Sequence, residues 1–80
     1  MSYFIYILLC KGGSFYTGST NDIKKRLKAH SEGQGAKYTK SHKPIKLIYS
    51  EEFSSKGEAL QREYEIKSLS RKKKEELVKE

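Results

Sequence analysis

The run Tyr3–Cys10 is apolar at nearly every position, and Lys11-Gly12-Gly13 follows it without a break. Few arrangements accommodate that order. The run's length and its content of isoleucine and aromatic residues favour a central strand covered on both faces. Alternation then puts Phe4, Tyr6 and Leu8 on one face and Tyr3, Ile5, Ile7 and Leu9 on the other. Gly12-Gly13 predicts a tight turn, and residues 14–19 return antiparallel. The resulting hairpin carries a phenol on each strand, at Tyr6 and Tyr16. Gly18 in the returning strand marks a close backbone approach or a bulge.

A chain of 80 residues is expected to form one domain over 1–80, since two cores would not fit. No apolar stretch approaches the ~20 residues that span a bilayer, so no membrane partner is expected. The run lacks the basic flank and small-residue cleavage site of a signal peptide, and the expected location is the cytoplasm. Cys10 is the only cysteine, which excludes an internal disulfide and a four-cysteine zinc site. It reads as a small buried hydrophobe on the first strand. Lys and Arg number 17 against 10 Asp and Glu, a net charge of +7. So basic a small body attracts polyanions through counterion release, and nucleic acid is the default partner.

Thr20-Asn21-Asp22 supplies N-cap chemistry for a helix that Gly33 or Gly35 stops. Ile23, Arg26, Leu27 and His30 recur at i, i+3, i+4 and i+7, so all four face the sheet. Residues 33–44 form a polar loop long enough to suggest a function. A third strand is expected over 45–50. Ser55 and Glu58 form a capping box that opens a second helix. On that helix Ala59, Glu63 and Ile66 line one stripe with Leu60 beside it. A carboxylate inside an apolar stripe must be paired, bind a metal or shift its pKa upward. Glu65 projects to the polar side. Ser70 caps a last helix whose apolar residues are Leu77 and Val78. Its first turn, Arg71 to Lys74, opposes the helix dipole. The run is therefore a phosphate-contact patch or a solvated terminus. The class is α+β, with three strands and three helices.

Cleaving a phosphodiester needs a base for water, a cation clamp on phosphate and a metal for developing charge. Tyr6 or Tyr16 is the candidate to orient or deprotonate water. Arg26 has the fork geometry for phosphate oxygens. Glu63 is the candidate ligand for one hard divalent ion, Mg²⁺ or Mn²⁺, with water and phosphate completing the shell. A tyrosine needs nearby positive charge to act as a base, because its ordinary pKa is about 10. Arg26, His30 and the metal are the sources at hand, and His30 is alternatively a proton relay. No HExxH, P-loop, GxGxxG or calcium-loop pattern occurs.

Taken together, these strings resemble the GIY-YIG nuclease superfamily. FIY at Phe4-Ile5-Tyr6 stands at the first name motif, and YTG at Tyr16-Thr17-Gly18 stands at the second. GSTNDIKKRLKAH is similar to the family helix with its Arg and His, and REYEIK to the helix bearing the metal-binding Glu. GQGAKYT followed by KPIKLIYSEEF narrows the likeness to small standalone bacterial members. These are also similar to the nuclease subunits of structure-specific junction endonucleases. The resemblance covers residues 3–74. It implies a small mixed sheet flanked by helices and metal-dependent hydrolysis of DNA, in repair or recombination. It also implies Tyr6 and Tyr16 as active-site tyrosines, with Tyr16 the preferred base. Arg26 would be the phosphate clamp, His30 a supporting polar residue and Glu63 the metal ligand. Thr39 and Lys40 fall in a loop near substrate. With Arg26 and the basic turn Arg71, Lys72 and Lys73, they make up the expected nucleic-acid contacts.

Two positions depart from the family. Phe4 replaces the first glycine of the name motif, and Ser19 stands where excision-repair relatives carry a lysine. The expected partner is DNA, with RNA open, and the chain is expected to be monomeric. Two alternatives stand beside the nuclease. One is a non-catalytic basic nucleic-acid-binding module, and the other is a subunit that works with a larger protein.

Overall fold

A computed structural model describes residues 2–34 and 42–79. Three strands, β1 (Tyr3–Cys10), β2 (Phe15–Thr20) and β3 (Pro44–Phe53), form one sheet in the order β2-β1-β3. The helices are α1 (Ile23–Ser31), α2 (Lys56–Lys67) and α3 (Arg71–Val78). Both strand pairings are antiparallel, so the sheet is antiparallel throughout and not mixed. The β1–β2 link is a hairpin. β3 reaches the other side of β1 after α1 and runs opposite to it.

The hairpin follows from its turn. Gly13 N–H donates to the Cys10 carbonyl at 3.0 Å, and Gly12 and Gly13 hold φ of 90° and 87°. Only glycine adopts those angles without cost. Alternation along β1 then separates two apolar layers. Ile5 and Ile7 pack with Ala59 and Ile66 of α2, and Phe15, Phe53, Leu77 and Val78 lie against them. Tyr6, Leu8 and Cys10 face the other way, against Tyr16 and Leu27. So α2 and α3 cover one face and α1 the other, which is why β1 is apolar on both sides. Burying each isoleucine contributes roughly 1.5–3 kcal/mol, so these layers supply most of the stability.

β3 is longer than the expected 45–50. Residues 51–53 continue the pairing with Ile5, Phe4 and Tyr3, although two of them are glutamates. As an edge strand β3 can carry charge, and Pro44 sits at its start, where no ladder bond is lost. The register slips between Ile7 and Leu8, so Tyr49 pairs with Ile7 and Leu47 with Leu8. This bulge lets the consecutive residues Ile48 and Tyr49 both reach the Ile5–Ile7 layer.

Helix starts fall where the capping residues predict. Asp22 accepts from Lys25 N–H at 3.1 Å, Ser55 from Glu58 N–H at 3.2 Å and Ser70 from Lys73 N–H at 3.3 Å. α1 ends at Ser31, with Gly33 at φ 77° just beyond it. Gly35 lies outside the described residues.

The expected stripe on α2 is rotated. Ala59 and Ile66 are buried, but Leu60 is 46% exposed. The cause is Arg62, which donates to both Glu51 oxygens from Nε (2.9 Å) and Nη2 (3.0 Å), while the Tyr49 hydroxyl bonds the same carboxylate. This clamp ties the Arg62 side of α2 to β3 and turns Leu60 outward. Burial pushes the Glu51 carboxyl up, but the bonds from Arg62 and Tyr49 outweigh it and leave its pKa below the ordinary value. A depressed carboxyl contributes stability above its unfolded pKa and loses it as pH falls through the folded one. Glu51→Gln is therefore expected to lower unfolding free energy at neutral pH by about 1–2 kcal/mol. Urea titration should show a lower midpoint with an unchanged slope. The gap between the two proteins should close as pH falls below the carboxylate range.

Candidate active site

The site begins with a missing side chain. Tyr6 pairs across the hairpin with Gly18. A Cβ on Gly18 would lie 2.5 Å from the Tyr6 hydroxyl and 2.7 Å from Cζ, closer than real contacts allow. It would also lie 3.2 Å from Tyr16 Cε2. Glycine therefore lets the Tyr6 ring lie across β2 toward the sheet edge. The close approach anticipated at Gly18 is a contact with the first active-site candidate itself.

Around that phenol the fold gathers three other predicted residues. Tyr6 hydroxyl and His30 Nε2 are 2.8 Å apart, and Arg26 Nε donates to the same hydroxyl at 3.4 Å. The Tyr16 and His30 ring centroids are 5.2 Å apart, and those of Tyr6 and Tyr16 are 6.4 Å apart. Arg26 also interacts with Tyr16, so its charge sits between the two phenols. Three turns of logic in α1 produce this: Leu27 packs on the sheet, and Arg26 and His30, one residue before it and three after, reach the tyrosine layer.

Burial sets the protonation states. Tyr6 is 1% exposed. That burial pushes its pKa above 10.0; Arg26 opposes the shift, while the charges of Tyr16 and Glu63 add to it. The shift favours the protonated phenol, which suits Tyr6 to donating a hydrogen bond. His30 is also 1% exposed. Burial, and then the Arg26 charge, lower its pKa below 6.5 and keep the imidazole neutral. The buried Tyr6 O–H needs an acceptor, and Nε2 of the Nδ1-protonated tautomer meets that need. The phenol bond holds Arg26 firmly charged.

Glu63 comes from α2, across the sheet from α1. Its carboxylate is near enough to act electrostatically on the Tyr6 phenol. Glu63 lies at the border of the buried stripe, 18% exposed at its side chain, and pairs with Lys67 at 2.8 Å. The partner that a carboxylate in this position requires is thus a lysine one turn along. As a metal ligand Glu63 offers a single hard oxygen donor group. Among the described residues no group of three or more His, Cys, Asp or Glu is placed to hold an ion. That donor set does not fit a zinc or calcium cage. It fits one Mg²⁺-like ion that keeps its waters and takes phosphate oxygens.

Among the described residues, the candidates Arg71, Lys72 and Lys73 are not part of this cluster. Arg71 stacks 3.8 Å over the Phe15 ring, donates to the Gly13 carbonyl at 2.6 Å and pairs with Glu75 at 3.3 Å. It fastens α3 to the hairpin turn. Lys72 and Lys73 are exposed beside it on the helix that packs against the Ile5–Ile7 layer. Thr39 and Lys40 lie outside the described residues. Phe4 keeps its place in β1 opposite Thr20, so the glycine missing from the name motif leaves the pairing intact. Sequence reasoning missed the Tyr49–Glu51–Arg62 clamp, because ion pairs between a strand and a helix eleven residues apart leave no periodic signal.

A family model described as the GIY-YIG catalytic domain matches residues 2–76. The chain belongs to this family of nuclease-type domains. Its relatives are small bacterial UPF0213 proteins. One from Staphylococcus saprophyticus is 56% identical over 98% of this chain and 95% of its own. Another, from Bacillus velezensis, is 53% identical over 99% of this chain and 80% of its own. The solution structure of a UPF0213 protein from Bacillus halodurans has a TM-score of 0.64 at 52% identity, covering 99% of this chain and 84% of that one. A solution structure from E. faecalis gives 0.66 at 43% identity, with the same coverage. No helix among the described residues is long and apolar enough to cross a membrane.

Gly18→Ala tests the geometry. Adding the methyl group should displace the Tyr6 phenol and cost roughly 1–3 kcal/mol of stability by overpacking. With the phenol displaced and the pocket opened to water, His30 should titrate closer to 6.5, followed by imidazole NMR against pH. An unchanged His30 titration would show that the phenol does not depend on Gly18.

Proposed function

We propose that this chain is a metal-dependent endonuclease that hydrolyses DNA phosphodiester bonds, as one catalytic domain acting in the cytoplasm. The carrying observation is the guanidinium of Arg26 held between two phenols, with the Glu63 carboxylate in electrostatic reach of one of them. Arg26 clamps a non-bridging phosphate oxygen, and its Nε bond to Tyr6 fixes the guanidinium plane. Tyr6 and His30 form a buried, neutral support that holds the clamp and admits no competing charge. Tyr16, half-buried and less enclosed than Tyr6, directs the attacking water and takes its proton. Glu63 holds the divalent ion, which when bound supplies Lewis-acid stabilisation of charge on the phosphate. Branched or unpaired DNA in repair or recombination is the substrate class this reading favours.

One observation favours a second reading. Lys67 already neutralises Glu63, as it would in a protein that binds nucleic acid without cutting it. That protein would bind in a salt-sensitive, metal-independent way.

Labelled branched, single-stranded and duplex DNA incubated with Mg²⁺, Mn²⁺ or EDTA separates the two. Cleavage should require metal and fall about 100-fold or more in both Glu63→Ala and Tyr16→Phe. Equal cutting in EDTA, or by both variants, would overturn the nuclease assignment of these residues. Binding without cutting by all three proteins would select the second reading.

A further inference from the structure

The rotation of α2 leaves an exposed face that meets the proposed catalytic residues only at Glu63. Lys56, Leu60, Glu63, Tyr64 and Lys67 follow one another at i, i+4, i+7, i+8 and i+11, which is one contiguous arc of a helix. Tyr64 is 75% exposed and Leu60 46%, both large and apolar on a very basic protein. Lysines stand at both ends of the arc. Glu63 forms its inner border, where the arc meets the buried stripe. At the Lys56 end the helix adjoins a cavity of about 330 Å³, whose polar lining comes from Ser19, Thr20, Asn21 and Lys56. The cavity is large enough for a nucleotide, and it begins one residue beyond Gly18.

We propose that this arc and cavity form a binding track for an unpaired nucleic-acid strand, with Tyr64 as a stacking platform for a base. Three observations favour this occupant over a protein. The apolar area is only two residues wide, too small for the core of a protein interface. It is flanked at one end by the exposed Lys56, which matches a phosphate beside a stacked base, and at the other by Lys67, shared with Glu63. It also borders the carboxylate that acts on the Tyr6 phenol, so a strand on the track would lead directly to the proposed cleavage site. A duplex keeps its bases stacked inside and offers no ring to Tyr64. The track therefore selects unpaired strands, flaps or branch arms. This deepens the nuclease reading by naming its substrate class and rests on that reading for the position of the scissile bond.

The test is binding in EDTA, where cleavage cannot intervene. Fluorescence anisotropy would compare a labelled single-stranded oligonucleotide with a duplex of the same length. The wild-type protein should favour the single strand. Tyr64→Ala should weaken single-strand binding roughly tenfold, as removal of one stacked base does, and leave the duplex nearly unchanged. Tyr64→Trp should retain the affinity. Lys56→Gln should reduce the salt dependence for the single strand by about 0.7 on logarithmic axes, one phosphate contact. Tyr64 is so exposed that its substitution does not threaten the fold. Unchanged single-strand affinity in Tyr64→Ala, an equal loss for single strand and duplex, or no binding of either by the wild type would overturn the track. Failure of the nuclease reading has a different signature, the absence of metal-dependent cutting by a protein that still prefers single strands.

Discussion

The absence of one side chain at Gly18 governs the arrangement of the whole site. β1 and β2 are locked in register by the hairpin turn, and that register sets Tyr6 opposite Gly18. A ring as large as tyrosine's cannot lie over a neighbouring strand unless that strand is bare. Once it lies there, its hydroxyl reaches beyond the apolar layer to meet His30 and Arg26. The polar network is thus carried by the sheet and α1 and not by a loop, which fixes its geometry. The same burial that positions Tyr6 favours its protonated form, while Tyr16 on the neighbouring strand stays half-buried.

A second constraint acts from the opposite face. The Arg62 fork on Glu51, steadied by Tyr49, sets how α2 is rotated against the sheet. The apolar layer alone constrains that rotation weakly, because Ala59 is small and burial of apolar area has no direction. The ion pair contributes less energy than the core but has a direction, so it sets the angle. Its consequence is that Glu63 sits at the border between the buried stripe and the outer face, and Leu60 and Tyr64 turn outward. A clamp remote from the phenols therefore decides where the carboxylate stands and what the helix presents to a ligand.

Much of this was legible in sequence because it is carried by short-range rules. The alternating faces of β1, the glycine turn and the three capping serine or aspartate residues are local, and the structure follows them. The grouping of Arg26, Leu27 and His30 on one helix face is periodic and held as well. What was not legible depends on pairs distant in sequence. The length of β3 could not be read from its pattern, because residues 51 and 52 are glutamates that find partners elsewhere, in Arg62 and Ser2. Leu60 was grouped with the buried stripe because helical spacing gives the width of a stripe but not its rotation. Arg71 read as part of a basic patch, yet its contact with Phe15 and Gly13 shows a packing task that charge counting does not reveal.

The central proposal is one phosphate site at Tyr16 and Arg26, with Glu63 holding its metal ion. Paramagnetic broadening by Mn²⁺ in a complex with a cleavage-resistant phosphorothioate oligonucleotide tests it most directly, because it maps the ion without relying on turnover. Amide signals of Tyr16, Gly18 and Glu63 should broaden first, and Glu63→Gln should abolish the effect. Broadening centred on α3, or a pattern indifferent to Glu63, would contradict the account.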